Sequence, residues 1–423
     1  MNLISTTADL AAACAAIASS DHVAVDTEFM RDTTFWPRLC LIQMATPDTG
    51  VVLVDAIAPD LDLAPFFELM ANERVTKVFH AARQDVEIVF HLGGLIPHPL
   101  FDTQVAAAVC GHGESVGYEA LVRAMTGGSI DKTHRFTDWA RRPLSDDQLV
   151  YAAADVIHLL PIYAKLQSEI DELGRQEWIR EEMDILTSPQ TYNTDPEIAW
   201  KRLKMKVRKP REFAILKAVA AWRDREAQTR DVPRGRILKD DAIYEIALHA
   251  PDSEAALRRL RTVPSGYERS AAGRELVSIV QAVRSQPVDD LPPVPRTDGP
   301  VRLPGAVSDL LKVLLKHVAD QNRVAARMVA NSDDIEAIAA DDEAHVPALH
   351  GWRREIFGEQ ALALKHGRLA LAVDGVRITL EQREPPDRPP AKSRRRRGRR
   401  SPAAKTASGQ DARDTEGVEP TTQ

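Results

Sequence analysis

The sequence predicts an α/β domain built on a mixed sheet, followed by two all-α blocks and a disordered basic tail. Three observations carry this expectation. Short, β-branched-rich runs alternate with helical periodicity up to about residue 175. Beyond about residue 176 the strand signal almost disappears, and helical patterning continues to about residue 382. From residue 385 the chain is rich in Pro, Arg, Ser, Thr and Glu and cannot bury enough apolar surface to fold.

Each element follows from local chemistry. Thr6 or Thr7 can cap a short Ala-rich helix. Residues 22–26, 39–44, 51–55 and 77–80 read as strands, and Pro47 to Gly50 suits a hairpin turn. Helical periodicity follows over 83–91, 103–109 and 118–125. A long helix is expected over 146–173, with Ser145 and Gln148 forming a capping box. Three early strands joined by short turns, then a βα succession, imply a mixed sheet covered by helices. Residues 1–175 are thus one expected domain and 176–208 a linker helix and loop, with Ser188 to Pro196 rich in turn formers. Residues 209–290 form a helical domain. A Pro-rich connector over 289–304 leads to a second helical block, 305–382. The two blocks share a pattern: Ile215-Leu216-Lys217 precedes Asp240-Asp241-Ala242-Ile243 much as Leu310-Leu311-Lys312 precedes Asp333-Asp334-Ile335, which suggests duplication.

With 423 residues, about two to four domains are expected. Hydrophobic content of 44% and charged content of 28% describe a globular protein with no stretch apolar enough to be read as a membrane span. Residues 10–19 resemble a signal-peptide core, but no Lys or Arg precedes them and Asp9 sits at their edge. Cys14, Cys40 and Cys110 form no zinc or disulfide pattern, which fits a reducing, cytoplasmic setting. The net charge of −7 argues against a general nucleic-acid coat. The distribution says more: Lys392 to Arg400 and Lys201 to Arg211 each carry seven basic residues. Either run can bind phosphates locally, or be an ordinary solvated charge run.

Asp26-Thr27-Glu28 ends the first main strand. Residues two apart in a strand share a face, so both carboxylates address one site. Two adjacent negative charges are costly unless a cation holds them, but D-x-E is also common on acidic surfaces. Tyr151 and Asp155 lie four apart on the long helix, hence on one face, separated by three alanines. Alone, that pattern reads as an Ala-rich buried helix. Asp85 falls in the first turn of a helix, where an Asp often only complements the helix dipole. Gly111-His112-Gly113 follows a helix and is no dinucleotide motif, the histidines lack zinc-ligand spacing, and no P-loop is present.

Order, context and spacing together are specific. They resemble the DEDDy branch of the DEDD exonuclease superfamily, which has D-x-E on its first strand, Asp at the next helix and Y-x-x-x-D on a late helix. Asp26-Thr27-Glu28-Phe29, the strand 39–43, Asp102-Thr103, Asp131-Lys132, Thr137-Asp138-Trp139 and Tyr151 to Asp155 are similar to the bacterial ribonuclease D family. The resemblance covers nearly the whole ordered chain. It implies a ribonuclease H-like exonuclease domain followed by two HRDC domains. Residues 209–290, with Asp231-Val232-Pro233 before Arg236 to Asp240, resemble the first, and 305–382 a more divergent second.

The resemblance also implies a chemistry: 3′→5′ hydrolysis of RNA, releasing nucleoside 5′-monophosphates, with two divalent ions (Mg²⁺ or Mn²⁺) clamping the scissile phosphate. Asp26 would bridge both ions, Glu28 and Asp155 would hold one, and Asp85 would serve the other. Tyr151, too weak an acid at its ordinary pKa of about 10 to be freely ionised, would orient the attacking water, or accept its proton where the metals depress that pKa. Phe29 could stack on a terminal base, and His80, Gln43, Lys132, Trp139 and Arg141 are candidate substrate contacts, with core packing an equal alternative for Gln43 and Trp139. The implied substrates are transfer-RNA precursors, bound at a single-stranded 3′ end by a monomer with no membrane contact. The HRDC domains and basic tail would add RNA contacts. A DNA-directed exonuclease and a catalytically dead RNA-binding scaffold are the rival readings.

Overall fold

A computed structural model describes residues 3–131, 133–134, 137–204, 207–295 and 305–384. Lys132 and the basic tail lie outside the described residues. Alternating apolar positions build a six-stranded sheet from β1 (Leu3–Ile4), β2 (His22–Met30), β3 (Arg38–Thr46), β4 (Gly50–Asp55), β5 (Thr76–Phe79) and β6 (Leu100–Asp102), in the order β1-β4-β3-β2-β5-β6. β2, β3 and β4 form an antiparallel meander, while β1 runs parallel to β4, and β5 and β6 run parallel to β2. The sheet is mixed, as expected, and the four anticipated strands are β2 to β5. β1 and β6 were not expected.

Helices α1 (Thr7–Ile17), α2 (Ala64–Ala71), α3 (Arg83–Gly93), α4 (Thr103–Cys110), α5 (Tyr118–Thr126), α6 (Asp146–Ile157), α7 (Leu159–Leu173) and α8 (Gln176–Leu186) cover the sheet. The Thr6 hydroxyl accepts the Asp9 amide to cap α1, and Ser145 with Gln148 completes the capping box of α6. The single helix expected over 146–173 is in fact two, interrupted at His158. Pro161 explains the break: without an N–H it cannot bond the residue 157 carbonyl. Among the described residues this run alone is long and apolar enough to cross a membrane, but here it packs into the core through Ala152, Val156, Ile162 and Leu166.

A helical domain follows, with α9 (Pro210–Thr229), α10 (Arg234–Ile237), α11 (Asp240–His249), α12 (Glu254–Leu257) and α13 (Ala271–Ser285) around a core that includes Ile215, Trp222, Ile243 and Leu276. The last block repeats the succession of long helix, one-turn helix and shorter helix as α14 (Gly305–Asn322), α15 (Ala326–Val329) and α16 (Ser332–Ala340). It is not all-α, and that expectation is corrected. β7 (Leu369–Asp374) and β8 (Arg377–Gln382) form an antiparallel hairpin, in which Ile378 and Leu380 alternate with Thr379 and Glu381 and Gly375 supplies a left-handed turn.

Both blocks are seated on the first domain by specific contacts. Phe35 is buried in the core of the helical domain with the Arg234 guanidinium 4.3 Å above its ring, and Asp231 accepts the amides of Phe35 and Trp36 at 3.0 and 2.9 Å. Trp36 stacks on His91 of α3, 3.9 Å between ring centroids. On the other side, Trp178 of α8 stacks on Trp352 at 4.2 Å, and the buried Glu182 pairs with Arg353 at 2.6 Å. Gly111 has φ +95°, and a Cβ there would overlap the Arg323 carbonyl, so close approach of the two blocks requires glycine.

Candidate active site

The site forms where β2 meets α3 and α6. Alternation along β2 turns Asp26 and Glu28 to one face, and α6 crosses that face with Asp155 pointing inward. One carboxylate oxygen each from Asp26, Glu28 and Asp155 lie within 4.8 Å of one another. Tyr151, one turn before Asp155, lines the same cavity of about 420 Å³, together with Phe29, His80, Gln84, Asp85 and Tyr118. A second hollow of about 320 Å³ adjoins it, sharing His80, Ala81, Tyr118, Tyr151 and Asp155. These volumes fall in the range of small-ligand sites.

Asp85 reaches the cavity by another route. Thr27 faces away from Asp26 and Glu28, and its hydroxyl donates to the buried Asp85 carboxylate. Asp85 is set in turn by the chain before α3. Asp102 accepts the amides of Ala81 and Ala82 at 3.0 and 2.8 Å, and also that of Gln104 at 2.8 Å, capping α4. These bonds hold Ala81 at φ 61°, a strained conformation for alanine that turns the chain from β5 into α3. The Thr103 hydroxyl donates to the Phe79 carbonyl at 3.0 Å and lies 3.0 Å from His80 Nδ1.

The electrostatics of this arrangement call for positive charge. Burial, then repulsion from Asp155, holds the Asp26 carboxyl well above the usual carboxylate range. Burial, followed by repulsion from Asp26, Asp155 and Asp85, pushes Glu28 up to about 10. Asp85 is raised by burial and by Asp26, against the opposing Thr27 hydrogen bond. Burial also lowers His80, opposed by Asp102 and the Val116 carbonyl. Packed carboxylates held in their protonated form without counter-charge ionise when a divalent cation is supplied, so the donor set fits a hard, oxygen-seeking ion. The thiols are no part of this: burial pushes Cys14 and Cys110 up to about 12, which leaves them inert.

All five expected active-site residues line one cavity, although Asp85 stands outside the tight three-carboxylate group. Of the expected substrate contacts, Phe29 and His80 line the cavity. Gln43 and Trp139 are 0% and 2% exposed and lie behind its wall, so neither offers a ligand-facing surface. Arg141 is exposed outside the lining. Its neighbour Arg142 is the inward one, bonding Asp55 through Nε and Nη2 at 2.9 and 2.5 Å, the Trp139 and Arg141 carbonyls through Nη1, and the Cys40 carbonyl through Nη2. Sequence reading missed Thr27 and Tyr118, and placed Asp102 in the family-like pattern without giving it a role in setting α3. Tyr118 donates to the Ala154 carbonyl at 3.2 Å and so braces α6 between Tyr151 and Asp155.

Comparison with known proteins agrees with this geometry. Residues 1–171 match a 3′-5′ exonuclease family model, and residues 212–280 match the HRDC domain. Ribonuclease D of Nitrobacter hamburgensis is 54% identical over 387 residues, 90% of this chain and 100% of that protein. Ribonuclease D of Bartonella henselae is 45% identical over 90% of this chain and 94% of its own length. The crystal structure of Escherichia coli RNase D, described as an exoribonuclease involved in structured RNA processing, superposes with a TM-score of 0.78. It is 29% identical and covers 86% of this chain and 98% of that one. The chain therefore belongs to the ribonuclease D family and is a 3′→5′ exoribonuclease with a divalent-metal site.

Proposed function

We propose that Asp26, Glu28, Asp85 and Asp155 bind two Mg²⁺ or Mn²⁺ ions and that the enzyme trims transfer-RNA precursors from their 3′ ends, releasing nucleoside 5′-monophosphates. The observation carrying this reading is the convergence of three carboxylates within 4.8 Å, with Asp85 on the same cavity. When bound, such ions supply Lewis-acid polarisation of the scissile phosphate and acidify the attacking water. Asp26, whose carboxylate lies close to those of both Glu28 and Asp155, would be shared between the ions. Glu28 and Asp155 would hold the ion that activates the water, and Asp85 would serve the other. Tyr151 would orient the attacking water through its hydroxyl, and would accept the water's proton only as the phenolate, an ionisation that bound cations would favour. Phe29, on the same cavity, would stack on a terminal base, and His80 would contact the nucleotide.

The second C-terminal block is read as a divergent HRDC domain, on the strength of the repeated α14 to α16 succession. It acts with the first HRDC domain and the basic segment 392–400 as an auxiliary RNA contact for a cytoplasmic monomer. Truncation at residue 385 is then expected to weaken RNA affinity most at low salt. Matched RNA and DNA oligonucleotides, incubated with purified enzyme in Mg²⁺, Mn²⁺ or chelator, test the reading. Stepwise loss of RNA from its 3′ end in either metal, and none in chelator, is expected. Faster loss of DNA would instead favour a DNA-directed enzyme.

A further inference from the structure

We propose that Gln43 is a positioning residue for the metal centre, its amide reserved for the Asp26 carboxylate in the cation-loaded state. Gln43 lies on β3 directly opposite Asp26 of β2. Directly paired residues of antiparallel strands share a face with Cβ atoms about 4.5–5.5 Å apart, so the two side chains are neighbours. That face is covered by α6: Leu41 packs with Ala152, and Ala45 with Val156, on either side of Gln43. Gln43 therefore sits beneath the helix that carries Tyr151 and Asp155. It is 0% exposed, and neither its Nε2 nor its Oε1 has a hydrogen-bond partner.

A doubly orphaned amide in a packed core is costly, and Leu or Met would fill the space without that cost. Its position supplies the reason to keep it. Asp26 offers two oxygens with four acceptor directions, and a cation engages only those facing the cavity. An ionised Asp26 turned toward a cation leaves an acceptor direction toward the sheet, where Gln43 Nε2 can donate. Such outer contacts orient metal-binding carboxylates and commonly contribute 10–100-fold to metal affinity. A purely structural glutamine would instead have its own hydrogen bonds satisfied.

This inference rests on the proposed metal centre, and the test separates the two. Full-length wild type, Gln43→Met, Gln43→Leu and Asp26→Asn are titrated with Mn²⁺ by calorimetry without RNA, and melted with and without Mn²⁺. Wild type is expected to bind Mn²⁺ and melt higher with it, whereas Asp26→Asn loses both effects. Gln43→Met is expected to melt no lower than wild type in chelator, to bind Mn²⁺ at least about tenfold more weakly, and to show a smaller metal-induced shift. Should the Met variant fold poorly, Gln43→Leu is read in the same way. Wild-type Mn²⁺ affinity in a folded Gln43 variant overturns the inference while leaving the metal centre intact. Absence of Mn²⁺ binding by wild type, or full binding by Asp26→Asn, overturns both.

Discussion

Thr27→Val isolates the hydrogen bond that steadies Asp85. The substitution keeps shape and β-branching on a strand position only 5% exposed, so β2 should form unchanged. It removes one donor from a buried carboxylate that burial and Asp26 already push toward the protonated form. A hydrogen bond to a charged group contributes roughly 1.5–3 kcal/mol, and one pKa unit corresponds to about 1.36 kcal/mol. Loss of the bond should therefore raise the Asp85 pKa further. In the proposed centre Asp85 must be ionised to hold a cation, so the acid limb of the kcat/KM profile should move by about one to two pH units to higher pH at fixed Mg²⁺. The high-pH plateau should stay near wild type. An acid limb that does not move, in a folded variant with a normal plateau, would refute the role given to this hydrogen bond.

Other perturbations test the remaining parts. Asp26→Ala or Asp155→Ala should reduce metal-dependent nucleotide release by at least about 10³-fold, with the far-UV circular dichroism unchanged. Tyr151→Phe should slow turnover by about 10²–10⁴-fold, while gel-shift affinity for RNA stays the same. In chelator, the raised carboxyls of Asp26, Glu28 and Asp85 keep protons that the unfolded chain releases above about pH 4. The folded state thus binds more protons, and urea stability should fall as pH rises from about 5 to 9. Added Mg²⁺ should flatten that slope. Glu182→Ala strands the buried Arg353 and should cost about 3–5 kcal/mol of stability for the C-terminal block, which Glu182→Leu with Arg353→Met should largely restore in urea melts.

Four of the five proposed active-site residues were legible because they fall in pairs that obey a local period. Asp26 and Glu28 follow the two-residue period of a strand, and Tyr151 and Asp155 the near-four-residue period of a helix. Asp85 was legible only through its order relative to these pairs. The supporting residues follow no period. Thr27 finds Asp85 across 58 residues, and Asp102 reaches back 20 and 21 residues to the amides that set α3. Nothing local distinguishes such a threonine or aspartate from a solvated one. Arg141 and Arg142 are adjacent and chemically identical, and only the location of Asp55 decides which turns inward. β1 and β6, at two and three residues, exist through pairing and not through propensity. The hairpin of β7 and β8 did carry alternation, but its half-exposed residues gave a weak apolar signal.

The attachment of the helical domain bears on how firmly the carboxylates of the candidate site are held. Phe29 and Met30 end β2, and only five residues later Phe35 is anchored in the core of the helical domain. The intervening chain is not slack. Arg31 makes a paired contact with Glu87 of α3 at 2.8 Å through each nitrogen, and Trp36 stacks on His91, one helical turn further along the same face. The segment leaving Glu28 is thereby fastened both to the helix that carries Asp85 and to Asp231 of the helical domain. A swing of the helical domain as a free tether would break the Asp231 amide bonds and draw Phe35 out of its core. Burial of an aromatic ring of this size opposes that by roughly 1.5–3 kcal/mol before any hydrogen bond is counted. The HRDC region is thus best regarded as part of the frame that fixes β2 against α3, in addition to any RNA contact it makes.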